Sequence, residues 1–167
     1  MSDNLFTPPE SNLIDEINEQ TTSVLASRWS RLGASLVDSF IMMLFVIPIM
    51  YFVGWFEIIS SGEEPSFLYT LGFGILGIVF FVFINLKLLV SHGQTVGKKV
   101  LKIKIVDLND DKAELKKHLL KRYGIYFIPN QVPFLGGIFQ FINILFIFRK
   151  DKRCIHDLVA GTQVVYC

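Results

Sequence analysis

Residues 32–56 read LGASLVDSFIMMLFVIPIMYFVGWF, a run whose one charged side chain is Asp38. A helix needs about 20 predominantly apolar residues to cross a bilayer core, and this run is long enough. Pro48 is tolerated there because neighbouring groups in a membrane bundle can satisfy the carbonyl it frees. Tyr51 and Trp55 lie near the far end, where amphipathic aromatic rings favour the interface. A second apolar run, residues 67–90, holds Asn85 and Lys87 close to its end.

The chain around these runs has 167 residues, of which 51% are hydrophobic and 19% charged, with a mean hydropathy of +0.48. The formal net charge of +1 hides a segregation. The loop between the runs carries Glu57, Glu63 and Glu64 with no Lys or Arg. Residues 91–122 carry Lys98, Lys99, Lys102, Lys104, Lys112, Lys116, Lys117, Lys121 and Arg122. Arg28 and Arg31 precede the first run. Basic loops stay cytoplasmic, so the asymmetry predicts a cytoplasmic N-terminus, an outer Glu loop and a basic loop inside. Residues 1–24, polar and acidic with Pro8-Pro9, read as a flexible cytoplasmic tail rather than a signal peptide. Residues 25–167 read as a single membrane domain.

The third apolar stretch, 124–148, is interrupted by Pro129, Asn130, Pro133, Gly136 and Gly137. A plain span would carry the tail that begins Arg149-Lys150-Asp151-Lys152-Arg153 to the outside, against its basic character. A broken or re-entrant hairpin that turns around Pro129–Gly137 keeps that tail inside. Each arm is short for a full crossing, and irregular backbone at depth requires protein or water around it. The expected fold is therefore an all-α membrane protein. It has two full spans, about 32–56 and 67–90, a broken third element, and a small cytoplasmic β-ribbon. The ribbon comes from alternation in Leu101-Lys-Ile-Lys-Ile105 and a β-prone Thr162-Gln-Val-Val-Tyr166. Residues 113–123 read as a basic amphipathic helix, with Leu115, Leu119 and Leu120 on one side. Lys98, Lys99, Lys116, Lys117 and Lys121 are then candidate contacts to anionic headgroups. Those contacts account for the lysines without nucleic acid.

An ionisable group inside a span is costly and marks a candidate site. Asp38 lies seven residues into the first run, roughly 10 Å at helical rise. Arg31, two turns earlier on the same face, can reach the headgroups. Lys87 and Asn85 return to a comparable depth and are candidate partners of Asp38. The pair could handle an ion or a proton, or could only set helix register. His156 beside Asp157 allows a proton relay, with a turn or capping role for Asp157 favoured. Cys154 and Cys167 form no disulfide pattern, and the three scattered histidines have no zinc spacing. No cofactor or catalytic set is legible.

Gly72-Phe-Gly74-Ile-Leu-Gly77 matches a dinucleotide pattern but lies inside an apolar span with no preceding strand. Close helix approach explains its small residues better. Gly93-Gln-Thr-Val-Gly97-Lys98-Lys99 falls one residue short of a phosphate loop and reads as a tight turn.

Three ordered blocks carry a resemblance. Arg28-Trp-Ser-Arg31-Leu-Gly-Ala-Ser-Leu-Val-Asp38 opens the first run. Gly93-Gln-Thr-Val-Gly-Lys98 follows the second and leads into Leu101-Lys-Ile-Lys-Ile-Val106. His156-Asp157-Leu-Val-Ala-Gly-Thr162-Gln-Val-Val165 closes the chain. Over about residues 25–166 the chain resembles the RDD family, small bacterial membrane proteins named for one arginine and two aspartates. The resemblance implies that these are Arg31, Asp38 and Asp157. It also implies an inner-membrane location and, from some members, monovalent cation/proton exchange. With so few segments, exchange would require a homo-oligomer. The competing expectation is a non-enzymatic assembly or interaction protein whose Arg and Asp residues are structural.

Overall fold

A computed structural model describes residues 23–132 and 135–167. The expected flexible tail lies almost wholly outside the described residues.

Helix α1 (Arg28–Phe52) starts at Ser27, whose side chain accepts from the Ser30 amide at 3.0 Å. This hydroxyl answers one of the orphan donors of a helix start. The helix ends at Phe52, four residues before the apolar run does. Gly54 adopts φ +74°, a left-handed conformation open to glycine, and the chain turns into the short helix α2 (Trp55–Ser60). Helix α3 (Phe67–His92) is capped by Ser66 and closed by Gly93 at φ +66°. Phe45 stacks on Phe80, and Trp55 stacks on Tyr69. The Tyr69 hydroxyl donates to the Val53 carbonyl at 2.8 Å, which fastens the Glu-rich end.

Both long helices can cross a membrane by length and composition, and only 6% and 17% of their most apolar windows are buried. Phe40, Phe52, Leu68, Val79 and Phe83 are exposed. Apolar surface of this extent is foreign to a monomer in water. The core sits instead at the other end of the helices, where Ala26, Ala34, Ile103, Ile105, Leu119 and Val164 are all but fully buried.

That core rests on the ribbon. Strand β1 (Ile103–Asp107) pairs antiparallel with β2 (Thr162–Tyr166), Ile103 opposite Tyr166 and Asp107 opposite Thr162. The pairing expected from the alternation is present, although the strand starts at Ile103 rather than Leu101, after a short helix, α4 (Val96–Val100). A two-stranded ribbon alone would expose both edges. Here Val24–Ala26 lies along β2, the Ala26 amide donating to Val164 at 2.9 Å, and the Gly93 carbonyl accepts from Ile105 at 2.8 Å beside β1.

The basic amphipathic helix expected over 113–123 is broken. A π-turn covers Leu115–Leu119, and α5 (Leu120–Phe127) follows. Leu119 is buried but Leu120 is 60% exposed, so the expected apolar side does not hold. After α5 come a 3-10 turn (Pro129–Gln131), α6 (Leu135–Leu145) and a second 3-10 turn (Phe146–Phe148). Arg28, at the start of α1, donates from Nε to the Ile147 carbonyl and from Nη2 to the Phe148 carbonyl, both at 3.2 Å. Arg122 in α5 and Arg31 in α1 share the partner Asp157. Both ends of the third stretch therefore return to the same end of α1, and the stretch doubles back. Its turn meets α3 at Gly74, where any Cβ would strike the Gln131 side chain. Gly74 stands eleven residues before Asn85, roughly 16 Å along the helix axis. At Gly72 and Gly77, expected to aid helix packing, an added Cβ would meet no other element within 4 Å among the described residues.

Candidate functional site

Helix α7 (Ile155–Ala160) begins with a capping box: the Asp157 carboxylate accepts from the Cys154 amide at 3.2 Å. The favoured capping role for Asp157 is thus present, but it is only part of what the side chain does. Arg31 of α1 donates to one carboxylate oxygen and Arg122 of α5 to the other. The Thr162 hydroxyl adds a contact at 3.3 Å and also accepts from Arg122 at 2.8 Å. Asp157 and Thr162 are fully buried, Arg122 is 3% exposed and Arg31 8%. Arg31 therefore turns inward rather than toward headgroups.

A carboxylate offers about four lone-pair positions, and these donors occupy all of them. Burial pushes the Asp157 carboxyl up, but the Arg122 and Arg31 guanidiniums outweigh it and hold the group well below the usual carboxylate range. His156, next in the chain, places its Nδ1 3.0 Å from the Asn143 Oδ1 of α6. The same oxygen accepts the His156 amide at 3.4 Å. Nδ1 therefore carries the proton, and Nε2 faces Asp157 at 3.8 Å. Burial, then the Arg122 charge, pushes this imidazole down to about 3, so it is neutral at physiological pH. With its one proton on Nδ1 toward Asn143, the neutral imidazole presents a bare Nε2 to a carboxylate locked by two guanidiniums, so a relay between them has no proton to pass. Ligand atoms of Cys154, His156 and Asp157 lie within 4.8 Å of one another. A cation held there would have to displace a guanidinium and would face both.

Asp38 is elsewhere. It is half-buried, and its oxygens accept from the Thr95 hydroxyl at 2.5 Å and the Gly97 amide at 2.7 Å. Asn85 is buried and accepts from the Val96 amide at 2.9 Å. Asp38 and Asn85 thus converge on the turn that starts α4 without bonding to each other. Lys87 is exposed, and the expected Asp38–Lys87 pair is not formed. Gly97 is seated against α1: a Cβ there would strike the Ala34 carbonyl oxygen and lie 2.9 Å from Asp38 Cγ. This close approach explains the Gly-Lys pair of the second block better than any phosphate loop.

The lysines divide. Lys99, Lys116, Lys117 and Lys121 are exposed, as headgroup contacts require. Lys98 is half-buried, within electrostatic range of Arg122, Asp38, Asp157 and Arg31. Sequence reasoning missed Arg122, Asn143 and Thr162. Arg122 stood at the end of a lysine-rich run, and its one distinguishing signal was chemistry: a guanidinium suits a buried two-oxygen partner where an ammonium does not.

No solved structure matches this chain. Among curated proteins it is similar to Uncharacterized protein YckC of Bacillus subtilis (strain 168), 28% identical over 141 residues, 84% of each chain. It is also similar to Uncharacterized protein RP437 of Rickettsia prowazekii (strain Madrid E), 34% identical over 73 residues, 44% of this chain and 36% of the other. A third relative, Uncharacterized protein YxaI of Bacillus subtilis (strain 168), is 31% identical over 72 residues, 43% of this chain and 42% of its own. The RDD family model matches residues 25–161, which hold α1 with Arg31 and Asp38, the Asp38-capped turn, and Asp157 with its two guanidiniums. With that match over most of its length, the chain belongs to the RDD family.

Proposed function

We propose that this protein is a non-enzymatic assembly or interaction protein of the bacterial inner membrane. In this reading α1 and α3 both cross, the third stretch is re-entrant, and both termini are cytoplasmic. Arg31, Arg122 and Asp157 lock the cytoplasmic end, and the exposed lysines rest on anionic headgroups. The supporting observation is that every acceptor position of Asp157 is filled by a fixed donor of the protein itself. A carboxylate used this way serves packing and is poorly suited to exchange an ion or proton in turnover.

A second reading, monovalent cation/proton exchange by a homo-oligomer, is favoured by one observation. Asp38 is only half-buried on a membrane-length helix, and one donor per oxygen leaves it acceptor capacity.

Reconstituted proteoliposomes separate the two. The assembly reading expects no Na⁺- or K⁺-driven proton movement above empty liposomes, together with defined partners cross-linked to the protein in membranes. Cation-driven proton flux abolished by Asp38→Asn in folded protein would replace it with the exchange reading.

A further inference from the structure

A cavity of about 360 Å³ lies between the end of α3 and β1. His92, Lys104, Asp110, Lys112 and Cys167 are among the residues that line it. Its one carboxylate is already engaged. Asp110 accepts from the Ser23 amide at 3.2 Å, from the Ser23 hydroxyl, and from the Gln163 side-chain amide at 2.7 Å. Lys104 and Lys112 form no ion pair among the described residues. Lys104 is also half-buried, so part of its hydration is lost.

The described residues begin at this place. Ser23 is held by Asp110, and the Val24 carbonyl accepts from the Tyr166 amide at 3.0 Å. The bridge between Leu25 and Val165 sets the register, which puts Ser23 opposite Cys167. Residues 1–22 are attached here. They carry Asp3, Glu10, Asp15, Glu16 and Glu19 and no Lys or Arg. Residues 91–122, which supply all of the lining except Cys167, carry nine Lys and Arg against four Asp and Glu. The segment and the cavity are opposite in sign.

Reach and tethering favour their meeting. Glu19 is four residues from Ser23, and an extended chain covers about 3.3–3.6 Å per residue, so the two stand no more than roughly 14 Å apart. An anionic membrane surface repels an acidic segment, whereas the lysines attract it. Exposed ion pairs are individually weak. A tether raises the effective concentration to the order of millimolar, at which several weak pairs suffice.

We propose that the acidic segment before Ser23 docks in this cavity, with Asp15, Glu16 and Glu19 answering Lys104 and Lys112. An anionic partner of this face must then displace the segment first. The docking rests on the cavity and its charge and on neither functional reading, so ion flux or partner capture leaves its test unaffected.

The test uses the full chain carrying Asn18→Cys, purified in a neutral detergent. This change spares every carboxylate of the segment. Mild oxidation should join the introduced thiol to Cys167 within one chain, read as a reducible product of monomer mass. Cys154 is buried and stays out of the reaction. Sodium chloride at about 1 M should slow the joining several-fold, because it screens exposed charges. Charge reversal on either side should do the same, by Glu16→Lys with Glu19→Lys or by Lys104→Glu with Lys112→Glu. Combining the two reversals should recover most of the rate, which neither an altered thiol reactivity nor a local folding defect would do. No disulfide within one chain overturns the proposal. So does a combined reversal that stays slow, or a rate indifferent to salt and to both reversals, the mark of a tether alone. A rate that phosphatidylglycerol lowers while the reversals leave it unchanged assigns the cavity to lipid headgroups and also overturns it.

Discussion

Arg122 and Asp157, thirty-five residues apart in the chain, meet as an ion pair that is almost wholly removed from solvent. The pair ties the entry of the doubled-back stretch to the C-terminal helix, and Arg31 ties the same carboxylate to the first long helix. Breaking a buried pair from one side strands the remaining charge, and this governs the first prediction.

Asp157→Asn keeps the shape of the side chain but leaves both guanidiniums without a counter-charge. It should cost about 3–5 kcal/mol of stability. Adding Arg122→Met should cost less than the sum of the separate changes, because the groups share one network. Thermal or denaturant unfolding in detergent reads both effects. A wild-type midpoint for Asp157→Asn would mean the pair contributes nothing.

Acid should act in two windows. The folded-state value of His156 lies at about 3, below its ordinary value near 6.5. Unfolding therefore takes up a proton between these limits, and stability falls as pH drops from about 6.5 toward 3. Asp157 is also held low, so its contribution is present above about pH 4, the unfolded carboxyl value, and is lost on further acidification. The slope of the midpoint between pH 6.5 and 4.5 should flatten in His156→Gln. An unchanged slope would remove His156 as its source.

Gly97→Ala tests the contact between α4 and α1. Its methyl group would strike the Ala34 carbonyl oxygen, a backbone atom that cannot swing aside. Overpacking of this kind costs about 1–3 kcal/mol. Gly77→Ala, where the new methyl group would meet no other element within 4 Å among the described residues, should be close to neutral in the same assay.

Asp38→Ala and Asn85→Ala each remove an acceptor from the turn that starts α4. Loss of one such cap costs about 1 kcal/mol. Because both serve one turn, the double variant should fall short of additivity. Full additivity in the unfolding midpoints would show that the two act separately.

Cys167 reports the fate of the third stretch. With the start of α1 on the cytoplasmic side, as proposed, a doubled-back stretch leaves it on that side too, shielded from an impermeant thiol reagent in intact cells and labelled once the membrane is opened. Labelling in intact cells would require a third crossing.

Length, apolarity and charge asymmetry along the chain were sufficient for two membrane-length helices and the outline of the ribbon, because these properties are local and repeat with the period of the element. The doubled-back stretch was legible too, since Pro129, Asn130, Gly136 and the basic run after Phe148 all oppose a straight span. What belonged to tertiary structure was the choice of partner. Asp38, Asn85 and Lys87 stand at matching depths by residue counting, yet Asp38 and Asn85 bind the backbone of the turn between α3 and α4, and Lys87 binds neither. Helical rise gives depth but not azimuth, and it contains nothing about a loop folding back against the helix ends. Arg122 was one base among the many of residues 91–122, and charge patterning cannot tell an exposed base from a buried one. Only the meeting of α1, α5 and α7 around Asp157 makes that distinction, because a guanidinium can be buried only where a carboxylate offsets the cost of its desolvation.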